Sequence, residues 1–340
     1  MSEVALLEIR DLDVTYWRRS LLGFKGRAFQ AVKGANLSIR AGETLGLVGE
    51  SGSGKSSIAN TVLGLVPANG GSIRFGDVEL TSMNTRYPPA VRGQIQAVFQ
   101  DPYSSLNPSM TVEDIVTEPL RVHTTMSRAE RRARAIELLR LVSLSEEHLE
   151  RHPHQFSGGQ RQRIAIASAL ALTPKLIVLD EPVSALDVST QNQIINLLYE
   201  RRDALGIAYL LIAHDLALVH HISDRIAVMY LGHIVEEGPS DRVYRSPAHP
   251  YTKALLDAVP LLDPEAQRRR RATRKAAPVK EAPRVAAQGC PYRNRCPFVM
   301  PRCEAEMPPA YPVDGGGTAA CFLLDRTASP GAAANRSVPA

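Results

Sequence analysis

Three groups of residues carry chemistry that ordinary core or surface positions do not need. The first is Gly49-Glu50-Ser51-Gly52-Ser53-Gly54-Lys55-Ser56, which satisfies G-x-x-x-x-G-K-[ST] at every fixed position. An apolar run, Leu45 to Val48, precedes it, and apolar residues return at helical spacing from Lys55 to Leu65, so the order is strand, glycine-rich loop, helix. Glycines let successive backbone N–H groups converge on an anion, and the helix amino terminus adds partial positive charge. The anion implied is the phosphate chain of ATP, wrapped by residues Gly49 to Ser57. Lys55 would bridge the β- and γ-phosphates, and the Ser56 hydroxyl would ligate Mg²⁺.

The second group is Asp180-Glu181, which follows the apolar run Leu176-Ile177-Val178-Leu179. A phosphate loop needs a further magnesium-side carboxylate at the end of a neighbouring buried strand, and Asp180 stands at that carboxyl edge. Glu181 brings a second carboxylate to the γ-phosphate side, where it can polarise an attacking water. The third group is Cys290, Cys296, Cys303 and Cys321, the only cysteines, with five, six and seventeen residues between them. Such clustering in a cytosolic protein argues for metal before disulfides. Structural zinc usually sits between two C-x₂-C knuckles, whereas these longer gaps suit a larger iron–sulfur cluster; zinc and free or disulfide-linked cysteines stay open as readings.

These groups need a scaffold, and the rest of the chain supplies its pattern. Short β-rich runs (Ala5-Ile9, Asp13-Tyr16, Ala35-Ile39, Thr44-Val48) alternate with turn signals at Gly34 and Ala41-Gly42, which reads as a small sheet entering a strand. A polar, proline-punctuated stretch runs from Ser82 to Pro108, and Met126 to Leu149 reads as one charged amphipathic helix. Strand and helix then alternate: Leu176-Leu179, Ser189-Leu205, Ala208-Ile212, Leu216-Ile222, and finally Ile226-Tyr230 and Ile234-Glu237 around a Gly232-His233 turn. That alternation implies an α/β protein with a mainly parallel sheet and helices on its faces. There is no internal repeat.

Composition marks the remaining boundaries. Much of the net charge of +5 over 340 residues sits in Arg268 to Arg271 with Arg274 and Lys275, a solvated run within a flexible basic linker, 263–288. A cysteine-rich module, 289–325, and an Ala/Gly/Pro-rich tail, 326–340, complete the chain. No stretch approaches the ~18 apolar residues that span a bilayer, and Glu3, Glu8 and Asp11 near the start are the opposite of a signal peptide. The expectation is a soluble, cytosolic protein. It lacks the aromatic platform or recognition helix of a nucleic-acid module, so no nucleic acid is expected as partner.

One further segment decides the class of phosphate-loop protein. Phe156-Ser157-Gly158-Gly159-Gln160-Arg161-Gln162-Arg163 resembles the signature sequence of ABC ATPases, with Phe156 where many members have Leu. Ser-Gly-Gly opening a helix is a second anion-binding helix terminus in a chain that already has one. The resemblance implies that Ser157, Gly158, Gly159 and Gln160 act in trans, capping the nucleotide held by the phosphate loop of a second subunit. It further implies that Gln100 is the glutamine-loop residue near Mg²⁺ and water, that Ser184 and Asp187 belong to the D-loop at the dimer interface, that His214 is the switch histidine, and that Tyr16 stacks on adenine, with Trp17 second. Mg²⁺ would then be held by Ser56, Gln100 and Asp180, and catalysis carried by Glu181, His214 and Gln100. The implied fold is a P-loop NTPase of the ABC type, with a RecA-like core, an antiparallel β subdomain and a helical subdomain (about 101–171) inside a nucleotide-binding domain, 1–262.

The stretches Phe99 to Pro108 and Ser246 to Leu256 look like the ATPases of bacterial oligopeptide and dipeptide importers, and Ser184 to Ser189 with Glu118-Pro119-Leu120 like their F-type subunit. That resemblance implies a D-type ATPase as heterodimer partner, two integral-membrane permeases, an extracytoplasmic substrate-binding protein, a peripheral place on the cytoplasmic face of the inner membrane, and a four-iron cluster (4Fe-4S) at the cysteines. Importers of nickel, glutathione or another small solute share this ATPase type. A soluble non-transport ABC ATPase is the alternative of another class, disfavoured because there is one phosphate loop and no long coiled-coil insertion. Ser168 departs from the family, which usually has Arg there.

Overall fold

The structure, a computed structural model, describes residues 5–19, 25–83, 86–258 and 288–325. Most of the basic linker and the whole tail, 326–340, lie outside the described residues. The chain divides into two compact units, Met1–His233 and Ile234–Ala340. Among the described residues no helix is long and apolar enough to cross a membrane.

The first unit opens with two long strands, β1 (Leu7–Arg19) and β2 (Lys25–Ile39), then β3 (Thr44–Val48), which runs through the glycine loop into α1 (Lys55–Val62). Strands β4 (Gly70–Phe75) and β5 (Val78–Glu79) complete a four-stranded antiparallel sheet in the order β2-β1-β4-β5. The sequence suggests two short runs where the structure has one β1, because the apolar alternation changes phase. Leu7 and Ile9 are buried, and so are Leu12 and Val14. Between the pairs Asp11 takes φ 47°, and Asp11 and Asn36 exchange two 3.0 Å hydrogen bonds, so the strand continues through a bulge.

The proline-punctuated stretch holds α2 (Pro89–Gln94), a short buried-edge strand β6 (Ile95–Val98) and α3 (Pro102–Ser105). Three helices follow: α4 (Val112–His123), α5 (Arg128–Leu141) and α6 (Gly158–Leu170). The single helix expected over Met126 to Leu149 is shorter. It starts at a capping box between Ser127 and Glu130 and stops at Leu141, where Ser143 turns to φ 59° and Leu144 N–H bonds back to Leu139 O at 2.8 Å. Val142-Ser143-Leu144-Ser145 offers serines that bond the backbone in turns, and Ser145 opens a separate short turn at Glu146–His148.

The remaining elements of this unit are β7 (Leu176–Asp180), α7 (Val188–Leu205), β8 (Ala208–Ala213), α8 (Leu216–Ile222) and β9 (Arg225–Tyr230). Strands β9-β3-β8-β7-β6 lie side by side, all parallel. Their uninterrupted apolar runs follow from burial on both faces: Leu45, Leu47, Leu176, Leu179, Leu210 and Ile212 are all fully buried. In such a sheet ligands gather at the carboxyl ends of the strands, which here are Val48, Asp180 and Ala213.

The second unit contains β10 (His233–Pro239), α9 (Ser240–Arg245), α10 (Pro250–Leu256), α11 (Pro301–Ala305), β11 (Tyr311–Pro312) and β12 (Thr318–Ala319), with strand order β11-β12-β10. Its polar anchor is the buried Glu236 carboxylate, which pairs with Arg242 and accepts the Ala248 and His249 amides, both at 2.8 Å. Arg242 also donates to Gly316 O and Glu237 O. Removing one partner leaves a buried charge uncompensated. Arg242→Met is expected to destabilise this unit by about 3 kcal/mol, measured by urea unfolding; a loss under ~1 kcal/mol would show that the pair is not the anchor.

Candidate nucleotide site and cysteine pocket

The glycine loop is shaped by close backbone approaches. A Cβ at Gly49 would stand 2.2 Å from Met229 O, and one at Gly54, where φ is 114°, 2.3 Å from Ala31 O. Only glycine fits either position. The Gly232 amide pins the loop by donating to Ser53 O at 2.8 Å. Lys55, 5% exposed, turns its ammonium back onto the loop, donating to Gly49 O at 2.8 Å and Glu50 O at 3.0 Å. Burial lowers its proton affinity, while Glu181, Asp180 and Glu50 oppose that shift.

The carboxyl end of β7 brings the expected acids to this lysine. Asp180 Oδ1 accepts a 3.3 Å hydrogen bond from Ser56 Oγ, and burial raises the carboxyl's pKa, with neighbouring Glu181 adding to the rise. Glu181 has φ 47°, a left-handed conformation that costs a non-glycine residue about 1–2 kcal/mol. Its amide is fixed by Ile212 O at 2.9 Å on the neighbouring strand, and its carbonyl accepts the Ser184 hydroxyl at 3.1 Å. The turn aims the carboxylate at two groups from other strand ends: Gln100 Nε2 donates to Glu181 Oε2 at 2.9 Å, and His214 Nδ1 lies 3.5 Å from the same oxygen. The Glu181 side chain is 20% exposed and His214 63%. The structure therefore joins Lys55, Ser56, Asp180, Glu181, Gln100 and His214 in one cluster at the strand ends. Sequence spacing does not reveal the direct Gln100–Glu181 bond, since it joins segments far apart in the chain.

Asp180 and Ser56 bring hard oxygen donors together, the kind of donor through which magnesium binds, with one or two protein groups plus substrate phosphates. Tyr16 stands beside the loop, its hydroxyl donating to Ser57 Oγ at 3.2 Å, and is partly exposed; Trp17 is more so.

The signature segment opens α6. Ser157 Oγ accepts from Gln160 N–H at 3.3 Å while Gln160 Oε1 accepts from Ser157 N–H at 3.1 Å, a capping box. Gly159 must lack a side chain, because a Cβ would meet Thr190 Cγ2 at 2.3 Å. Asp187 caps α7, accepting from Thr190 N–H, Thr190 Oγ1 and Ser189 Oγ, and these bonds hold its carboxyl well below the usual range. Ser168 donates to Ile115 O on α4 at 3.2 Å, a contact within the helical group rather than with the loop.

All four cysteines line one pocket in the second unit, with His249, Tyr292, Arg293, Phe298, Phe322 and other apolar residues. Burial pushes Cys296 up to about 11 and Cys321 up to about 12, and raises Cys290 as well. Among the described residues no three His, Cys, Asp or Glu side chains are grouped to hold a metal ion. His249, itself buried, accepts the Tyr251 amide at Nδ1 and stacks edge-on with Tyr292, so His249 and Pro250 form one wall. The cysteine spacing alone gave no sign of that wall.

Comparison with known proteins agrees with this geometry. Residues 32–184 match the family described as ABC transporter, and residues 235–303 the oligopeptide/dipeptide transporter C-terminal region. The oligopeptide transport ATP-binding protein OppF of Escherichia coli (strain K12) is 47% identical over 302 residues, covering 88% of each chain. The di/tripeptide transport ATP-binding protein DppF of Pseudomonas aeruginosa (strain UCBPP-PA14) is 42% identical over 286 residues, 84% of this chain and 88% of that one. Among solved structures, the dimeric ATP-binding cassette MJ0796 bound to ADP and Pi superposes with a TM-score of 0.61 at 31% identity, covering 69% of this chain and 98% of that one.

The raised proton affinity of Asp180 gives a signed expectation. Its charged form is disfavoured in the folded, nucleotide-free protein, so the carboxylate lowers stability at neutral pH, and the loss fades as pH falls through the carboxylate range. Asp180→Asn is expected to raise the nucleotide-free Tm by about 2–4 °C at pH 7.5 and to abolish the additional rise on Mg²⁺ and ATP. Scanning calorimetry measures both; a lowered Tm without nucleotide would contradict the desolvation argument.

Proposed function

We infer the activity of this chain from the family to which it belongs, the ATP-binding proteins of oligopeptide and dipeptide ABC transporters: it is an ATP hydrolase coupled to transport through membrane permeases. The observation that carries the chemistry is the Glu181 carboxylate, hydrogen-bonded to Gln100, near His214, and one residue from the Asp180–Ser56 pair.

In our reading, the Lys55 ammonium exchanges the Gly49 and Glu50 carbonyls for β- and γ-phosphate oxygens. Mg²⁺ would be held by Ser56, Asp180 and Gln100, and would supply charge neutralisation on the phosphates. Glu181 orients the attacking water and accepts its proton as the water oxygen bonds the γ-phosphorus, with His214 beside the γ-phosphate and Tyr16 under the adenine. Residues Gly49 to Ser57 form the phosphate cradle. Ser157 to Gln160 act on the nucleotide of a second ATPase subunit, and Ser184 and Asp187 lie at the subunit boundary.

The further partners in this reading are a D-type ATPase as the second subunit and a substrate-binding protein outside the cytoplasm. The chain would work at the cytoplasmic face of the inner membrane, as a nucleotide-binding domain, 1–262, followed by linker, cysteine module and tail. Peptides are the cargo class, supported by the match of residues 235–303 to the oligopeptide/dipeptide transporter region. That region also disfavours a soluble, non-transport ABC ATPase.

For the cysteine pocket the reading is a 4Fe-4S cluster bound by Cys290, Cys296, Cys303 and Cys321, with zinc as the alternative. It is supported by the lining of one apolar pocket by all four cysteines. The four cysteines would hold the cluster as thiolates, and it would supply the positive charge that lets buried thiols ionise. Its role would be structural, since no redox step enters ATP hydrolysis.

Two outcomes follow. Glu181→Gln in the assembled transporter should cut turnover by about a hundredfold or more while MgATP binding stays intact; turnover within severalfold of the parent would refute the assignment. Anaerobically purified protein should be brown, absorbing near about 400 nm, and Cys296→Ser should lose the colour. A colourless preparation with one zinc per chain would replace the cluster by zinc, and one without metal would remove both.

A further inference from the structure

The segment that carries Gln100 also touches the signature helix, through one side-chain stack. Asp101 caps α3 by accepting the Tyr103 amide at 2.8 Å, which fixes where Tyr103 points. The Arg161 guanidinium carbon lies 3.7 Å above the centroid of the Tyr103 ring. Tyr103 is otherwise exposed at 64%, whereas Arg161 is 8% exposed. Arg161 sits in the first turn of α6: its amide bonds Ser157 O at 2.9 Å, and its Nε donates to Pro153 O at 2.7 Å. One residue of the first turn of α6 therefore grips, through its buried guanidinium, both the loop before the signature and the ring on α3.

We propose that Tyr103 is a positioning residue for the signature helix: its stack with Arg161 sets the orientation in which Ser157 to Gln160 are presented to the second subunit's nucleotide. This rests on the reading that the signature acts in trans. The path is short and continuous. Gln100 bonds the Glu181 carboxylate of this chain's own site, α3 begins two residues later, and Tyr103 holds Arg161 in the first turn of α6. A change at Glu181 that pulls on Gln100 thus reaches the surface offered to the other nucleotide, and neither end needs to touch the other. The interaction depends on the electrostatic face of an aromatic ring, which phenylalanine keeps and leucine lacks.

The test uses full-length chains and the second ATPase subunit without permeases. Association of the two subunits at saturating MgATP is measured by sedimentation in the Glu181→Gln background, with nucleotide affinity of the single chain measured alongside. Tyr103→Leu should weaken ATP-dependent association about tenfold while leaving single-chain affinity within about twofold, and Tyr103→Phe should match the parent. The double change Tyr103→Leu with Arg161→Met should be no weaker than Arg161→Met alone. Equal association for the leucine variant and the parent would overturn the proposal. A parallel fall in single-chain affinity would also overturn it, since that marks a general loss of structure. If the parent shows no ATP-dependent association, the trans reading fails, and the proposal with it.

Discussion

The Lys55 ammonium lies buried at the mouth of the glycine loop, solvated by two backbone carbonyls and balanced by carboxylates from the next strands. A charge in that position is tolerable only if the loop carbonyls face it and the acids stay close. Both conditions constrain the fold. The carbonyls face inward because Gly49 and Gly54 let the backbone pass within contact of Met229 and Ala31. The acids are near because β7 and β3 both flank β8 in the parallel sheet, so that Asp180 emerges at the same edge as the loop.

The same edge explains why Glu181 keeps a strained backbone. Its amide is spent on Ile212 O and its carbonyl on Ser184, so the left-handed turn is held from both sides. A carboxylate so placed reaches Gln100 and His214, each delivered by the end of another strand. Backbone strain held in place by neighbouring bonds is expected where a side chain's position matters more than stability, the role given to Glu181 in the proposed function.

Much of this was legible in the sequence because it depends on local rules. The glycine loop, the apolar strand ending in two acids and the serine that caps α6 are each set by a few consecutive residues. The parallel α/β core follows from alternating strand and helix patterns, and strands read as fully apolar are buried on both faces. What was not legible depends on distant partners or on a single backbone twist. The bulge at Asp11 splits one strand into two apparent runs, and Ser143 ends a helix that charge patterning would carry to Leu149. The Tyr103–Arg161 stack and the His249 wall of the cysteine pocket join segments whose separation hides them.

In the proposed function, the signature segment opening α6, whose Ser157 and Gln160 form a capping box, completes the nucleotide site of a second subunit. Steady-state ATP hydrolysis by the purified chain, measured as the second ATPase subunit is titrated in, tests this most directly. A shared site predicts a very low rate for the chain alone and a steep rise that saturates when partner and chain are equimolar. Full specific activity from a chain shown by sedimentation to be monomeric, unchanged by the partner, would contradict it.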